Sequence, residues 1–397
     1  MVISPNSEIL NLSEAIVHSP IDQVGTLADD WTAISKFSQD LFREILTTGE
    51  ENVVISPLSA YYVLAMVALG AREETLYEFQ TLLGYDPREL APKLSALAQY
   101  LMYTGGSTVL NLAGSVWINE RFPIASEFNQ AMTYYFNSSA NARNLMKQAT
   151  KDEINDWIYK QTNGLVDEAL EEVEIDEYTM MLLINTLYVS ARWDRSFNPM
   201  GQFPSVFYLE SGMPLETTFL STNFTGLFAS VTDYYEAVLL PYDDDRLGFF
   251  LVRPTDGTNV RDFAATHDLT TILNNLKDHS TVAVQMPKLD KEFDILMNDQ
   301  LQAMGLNQVF DSNYSDLSGL IKETVDLLHL SEVRQTVRIL VDAEGTEAAA
   351  TTIGIPSMES YSPNPLDLIF NTAYLYAIFD LQTGIPLFMG VVDNPDL

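Results

Sequence analysis

Glu344-Gly-Thr-Glu-Ala-Ala-Ala-Thr-Thr352, followed by Ile353 to Pro365 with three prolines and three serines, decides the reading of this chain. The β-branched run Val333–Val341 before it reads as a strand. After it, the chain returns to a strand near Leu368. About 25 residues without an apolar period inside a compact domain point either to a functional loop or to disorder. Two readings stay open at this point. Thr346 can cap a short helix that runs into a loose linker. Alternatively, small side chains suit a segment built to enter a packed sheet, since alanine serves in helix or strand and needs little room.

Outward from this stretch the chain shows strands in clusters and helices in clusters, which predicts an α+β fold rather than alternating βαβ units. Ile34, Phe37, Leu41, Phe42 and Ile45 fall at helical spacing between Trp31 and Leu46. Ser59–Leu69 is apolar on almost every face, so this helix is predicted to be buried, with Gly70 at its end. Residues 75–103 read as helical turns with polar breaks. Ser107–Asn119 reads as a strand, Glu153–Asn163 as an amphipathic helix, and Met180–Val189 as a strand buried on both faces. Short strands follow one another from Phe203 to Val252. Asn259–Leu276 and Met297–Phe310 read as helices and Thr281–Met286 as a strand. Tyr374–Phe379 and Ile385–Val392 close the chain as strands. No linker divides it, so residues 29–397 are expected to form one domain, after an extension at 1–28.

Composition narrows the chemistry. The 397 residues are 47% hydrophobic and carry a formal net charge of −34. That charge repels phosphate backbones and anionic lipid faces, so no nucleic-acid or membrane partner is expected. With no cysteine and four histidines (His18, His267, His279 and His329), no thiolate nucleophile exists and no His pair lies at metal-ligand spacing. No metal, no cofactor, no catalytic residue and no enzyme activity are expected. Four Asn-x-Ser/Thr triplets, at Asn11, Asn137, Asn223 and Asn313, are close to the chance number. The first 20 residues show no basic region followed by an apolar run.

The segments taken together resemble the serpins, from about residue 30 to Pro395. Asn52-Val-Val-Ile-Ser-Pro-Leu-Ser59, Leu64-Ala-Met, Leu69-Gly-Ala and Thr75 are similar to the opening of that family. Asn155-x-Trp157, Thr162-Asn-Gly164, Ile184-Asn-Thr-Leu-Tyr188, Trp193 and Phe197 follow in family order. So do Leu240-Pro-Tyr242, Met286-Pro-Lys288, Met304-Gly-Leu306, Phe310 and Asp316-Leu-Ser-Gly319. Glu344-Gly-Thr-Glu-Ala-Ala-Ala-Thr351 is similar to the family's reactive-loop hinge, and Pro386-Leu-Phe-Met-Gly390 with Asn394-Pro395 to its ending.

The resemblance implies a single domain of three β-sheets and about nine helices with an exposed reactive loop at about 343–369. It implies a suicide-type inhibitor whose loop is cleaved, acylates the protease and inserts into the main sheet. The hinge it implies is Glu344, Gly345, Thr346, Glu347, Ala348, Ala349, Ala350 and Thr351. The shutter it implies is Ser56, Ser59, Asn185 and Gln335, with glutamine standing where the family commonly has histidine. The family's usual glutamate two residues before the hinge glycine is Ala343 here, which leaves Lys288 without its carboxylate. In the inserted strand, Thr346, Ala348, Ala350, Thr352 and Gly354 would point into the protein, and none is charged or large.

Carried over from the hinge glycine, the scissile bond falls at Glu359–Ser360, with Met358 and Tyr361 as neighbours; counted back from the C-terminal side it falls at Ser362–Pro363, before a proline that few proteases accept. No Lys or Arg follows Arg338, so a trypsin-like pocket has nothing to bind. The expected target is a papain-like cysteine protease, reading Met358, or an elastase/chymotrypsin-like serine protease. The alternative is a non-inhibitory relative serving storage, carriage or chaperoning. Asp86–Tyr103 offers only Arg88 and Lys93 as cations, so heparin is not an expected partner. A secreted, extracellular glycoprotein monomer is expected, with an intracellular location the alternative.

Overall fold

A computed structural model describes residues 31–102, 107–166, 175–198, 201–322, 328–346 and 365–397. The extension 1–28, hinge residues Glu347, Ala348, Ala349, Ala350 and Thr351, and Met358, Glu359, Ser360 and Tyr361 lie outside the described residues. Nine α-helices occur among them: α1 Thr32–Leu46, α2 Pro57–Ala68, α3 Glu73–Leu83, α4 Pro87–Leu101, α5 Ser126–Phe136, α6 Gln148–Gln161, α7 Val260–Thr266, α8 Leu269–Asn274 and α9 Asn298–Ala303. The strands are β1 Val54–Ile55, β2 Val109–Asn119, β3 Ala140–Arg143, β4 Met181–Arg192, β5 Phe203–Tyr208, β6 Pro214–Phe224, β7 Leu227–Val231, β8 Tyr235–Pro241, β9 Leu247–Pro254, β10 Lys277–His279, β11 Val282–Pro287, β12 Leu289–Leu296, β13 Glu332–Val341, β14 Gly345–Thr346, β15 Leu366–Ile369, β16 Tyr374–Asp380 and β17 Ile385–Val392.

They form three sheets: β1-β17-β16-β9-β8-β7-β10, β15-β11-β6-β5, and β12-β13-β14-β4-β2-β3. The fold is therefore α+β with three sheets, as the sequence predicts. All twelve residues of α2 are buried, because the helix packs against β17 on one side and β2 and β4 on the other. Ser56 starts it: its side chain accepts from the Ser59 N–H at 3.4 Å, and Pro57 occupies the first turn where its missing N–H costs nothing.

Two expected helices are broken. Asn259–Leu276 divides into α7 and α8, because the Asp268 carboxylate caps a new start by accepting from the Thr271 N–H at 2.6 Å. Met297–Phe310 is interrupted at Gly305, whose φ of 101° ends the helical turn. The expected loop at 343–369 is shorter at both ends. Gly345 and Thr346 already pair in a sheet, and Leu366–Ile369 pairs in parallel with Val282–Gln285. Backbone groups at both ends of the loop are thus satisfied by neighbouring strands rather than by water.

Candidate functional site

The six-stranded sheet holds the first residues of the predicted loop, Gly345 and Thr346. At one end β13 and β4 pair directly and in parallel, Glu332 to Gln335 against Leu182 to Asn185. At the other end β14 lies between them. Gly345 faces Arg192, and Thr346 faces Ala191 on one side and Val341 on the other.

The paired end is tied by a buried polar cluster. Gln335 is fully buried. Its Oε1 accepts the Ser56 N–H at 2.8 Å, and its Nε2 faces the Ser56 carbonyl at 2.9 Å, Ser59 Oγ at 2.8 Å and Asn185 Oδ1 at 2.5 Å. The Ser59 hydroxyl donates to Asn185 Oδ1 at 2.7 Å, and the Asn185 amide donates to the Arg334 carbonyl at 3.1 Å. Ser56, Ser59, Asn185 and Gln335, separated by up to 279 residues in the chain, are therefore brought together in one network that crosses from α2 to both strands. Buried groups so satisfied hold one geometry, because each alternative leaves a donor or acceptor unpaired at a cost of about 1–3 kcal/mol.

The open end is tied by aromatic packing and by the hinge itself. The Trp193 indole stacks on Tyr242 with ring centroids 4.7 Å apart, and Phe197 and Phe249 meet it edge-on. The Tyr242 hydroxyl lies 2.5 Å from Thr346 Oγ1. Burial pushes the Tyr242 phenol well above its ordinary range, so it stays protonated and able to donate. Gly345 allows no side chain: a Cβ there would sit 2.1 Å from the Ala191 carbonyl oxygen. Glu344 is partly exposed and reaches Ser196 Oγ at 3.4 Å.

Ala343 is buried, and among the described residues Lys288 forms no ion pair. The carboxylate that the resemblance implies at position 343 is absent from the sequence. Sequence reasoning passed over Asp342, Tyr242 and Trp193 as site residues. Asp three positions before a glycine is a turn signal and could have flagged the first. The other two are joined to the hinge only through tertiary packing. Among the described residues no cluster of His, Asp and Glu could hold a metal, and no helix is long and apolar enough to cross a membrane.

The family model described as Serpin (serine protease inhibitor) matches residues 32–395. Human neuroserpin is 27% identical over 383 residues, covering 92% of this chain and 91% of that one. Plasminogen activator inhibitor 1 of Neovison vison is 26% identical over 377 residues, covering 90% and 91%. The native-state structure of the thermophilic serpin tengpin superposes with a TM-score of 0.82 at 26% identity, covering 91% of this chain and 93% of that one. Human thyroxine-binding globulin, solved in complex with thyroxine, shares the fold with a TM-score of 0.84 at 21% identity, covering 93% and 99%. With the family model matching almost the whole chain, and the relatives aligned nearly end to end, this protein belongs to the serpin family.

Proposed function

We propose that this serpin is a suicide-type inhibitor of a protease that does not require a basic residue at the scissile position, either papain-like or elastase/chymotrypsin-like. The observation that carries the inhibitory reading is the seat of β14 between β13 and β4. Continuing the same register, residue 348 meets Val189 and Ile339, residue 350 meets Leu187 and Val337, and residue 352 meets Asn185 and Gln335. Val189, Leu187, Val337 and Ile339 all belong to the main buried core. The loop residues that would join them are Ala348, Ala350 and Thr352, which are small and uncharged. Entry of such side chains costs no charge desolvation, whereas a carboxylate there would cost several kcal/mol.

The register also gives the order of events. A strand extended to residue 352 must separate Gln335 from Asn185 and part the parallel β13–β4 pairing. The polar cluster around Gln335 is thus the gate that cleavage has to open, and the new strand's two ladders of backbone hydrogen bonds replace what is lost.

For the target class, the support is the lack of Lys and Arg after Arg338. Cleavage at Glu359–Ser360, with Met358 and Tyr361 flanking, offers acidic, apolar and aromatic bait but no guanidinium or ammonium. Sparse cations on α4, Arg88 and Lys93 alone, argue against acceleration by heparin. The protein acts as a monomer without a cofactor, outside the cell.

The test is thermal unfolding before and after loop nicking at 355–362. Insertion predicts a sharp rise of the midpoint in the nicked protein. An unaltered melting curve would instead support the storage, carrier or chaperone reading.

A further inference from the structure

The turn from β13 into β14 is held at nearly every polar atom of its backbone. The Trp193 indole N–H donates to the Asp342 carbonyl at 2.9 Å, the Phe197 N–H to the Ala343 carbonyl at 2.8 Å and the Trp193 N–H to the Glu344 carbonyl at 3.0 Å. Within the turn, the Asp342 N–H donates to the Gly345 carbonyl at 2.9 Å. Of the turn's other N–H groups, those of Glu344 and Gly345 are both taken by one side chain. Asp342 Oδ1 accepts them at 2.8 and 3.2 Å. Beyond it, Thr346 is locked to Tyr242. The neighbouring position, where the family pattern has a glutamate, is a buried methyl, Ala343.

We propose that Asp342 is a positioning residue for loop insertion: its carboxylate caps the turn so that β14 is already in register before cleavage, and the rest of the loop extends a strand whose start exists. This rests on the inhibitory reading above. Starting an ordered segment is its unfavourable step, since several dihedrals must be fixed before the first bond is made, and each later residue adds bonds for less entropy. A capped turn removes that step from the race between insertion and deacylation of the trapped enzyme. Without the cap the turn can open in the uninserted chain and must re-form before each insertion, so the cap acts on the rate; the many contacts of the inserted strand, not this cap, supply the stability gained on cleavage.

The test compares the unmodified chain with Asp342→Ala and Asp342→Asn, the second of which keeps an Oδ1 acceptor. Three quantities are read: the rate of insertion after nicking, from tryptophan fluorescence; the molecules consumed per protease trapped; and the midpoints of intact and nicked protein. Asp342→Ala should insert about fivefold more slowly, as losing one cap implies, and consume correspondingly more molecules per protease trapped. Its rise in midpoint on nicking should be retained, and Asp342→Asn should stay near the unmodified chain. An Asp342→Ala variant that inserts and traps at the unmodified rate overturns the proposal, as does Asp342→Asn failing as badly as the alanine. Absence of any midpoint rise in the unmodified chain refutes the inhibitory reading itself, which separates the two failures.

Discussion

Replacing Gln335 with leucine removes one side chain that serves both sides of the gate. Leucine matches glutamine closely in volume, so the loss is of polar contacts and not of packing. The Ser56 N–H loses the acceptor it finds in Oε1. The Ser56 carbonyl keeps the Ala60 N–H at 3.3 Å, and Asn185 Oδ1 keeps the Ser59 hydroxyl at 2.7 Å. One buried donor is therefore stranded outright and two acceptors are weakened, which destabilises the intact protein by about 2–4 kcal/mol. At about 1.2 °C per kcal/mol for a chain this long, the midpoint should fall by about 2–5 °C. In the nicked protein the inserted strand already stands between Gln335 and Asn185, so that contact is absent and the fall should be smaller. Differential scanning of both forms of both proteins reads this directly. An equal fall in intact and nicked protein would refute the idea that this cluster holds the two strands shut.

Other expectations follow from the same geometry. Ala350→Glu puts a carboxylate between Leu187 and Val337, so cleavage should continue while covalent complexes vanish on denaturing gels. Trypsin should not be trapped by the unmodified chain, and Glu359→Arg should create trypsin inhibition, measured by residual amidase activity. His329, partly buried, is held below the usual histidine range first by burial and then by the Arg121 guanidinium, against a smaller opposing pull from Asp311. A depressed folded value means that the unfolded chain binds the proton more readily. Stability from this group is present above about pH 6.5 and lost as pH falls through the folded value. Chemical denaturation between pH 7.5 and 5 should show this slope, and His329→Gln should flatten it.

Much of the fold was legible because its core elements are extreme. A helix buried on all faces, such as α2, and a strand buried on both, such as β4, announce themselves in unbroken apolar runs. The strand β12 is not singled out by its pattern, and the reason is Lys291. That residue points inward, is 3% exposed, and gives its ammonium to the carbonyls of Asn394, Pro395 and Leu397. A buried lysine masks the apolar alternation of Leu289, Phe293 and Ile295. Helix α5 buries only Phe128, Met132 and Phe136, a stripe too thin to stand out among polar neighbours. In the site, the run of small residues after Gly345 stands out by composition alone. The turn that aims the hinge does not, since Trp193, Phe197 and Tyr242 reach it only through tertiary packing.

If the loop inserts once it is cut, protease attack ends in a trapped enzyme. The most direct measurement is incubation with papain-like, elastase-like, chymotrypsin-like and trypsin-like proteases, followed by a denaturing gel and sequencing of the released C-terminal peptide. A complex that survives denaturation is expected with a protease other than the trypsin-like one, together with a peptide beginning at Ser360. Complete cleavage of the loop by every protease without any such complex would contradict the inhibitory reading.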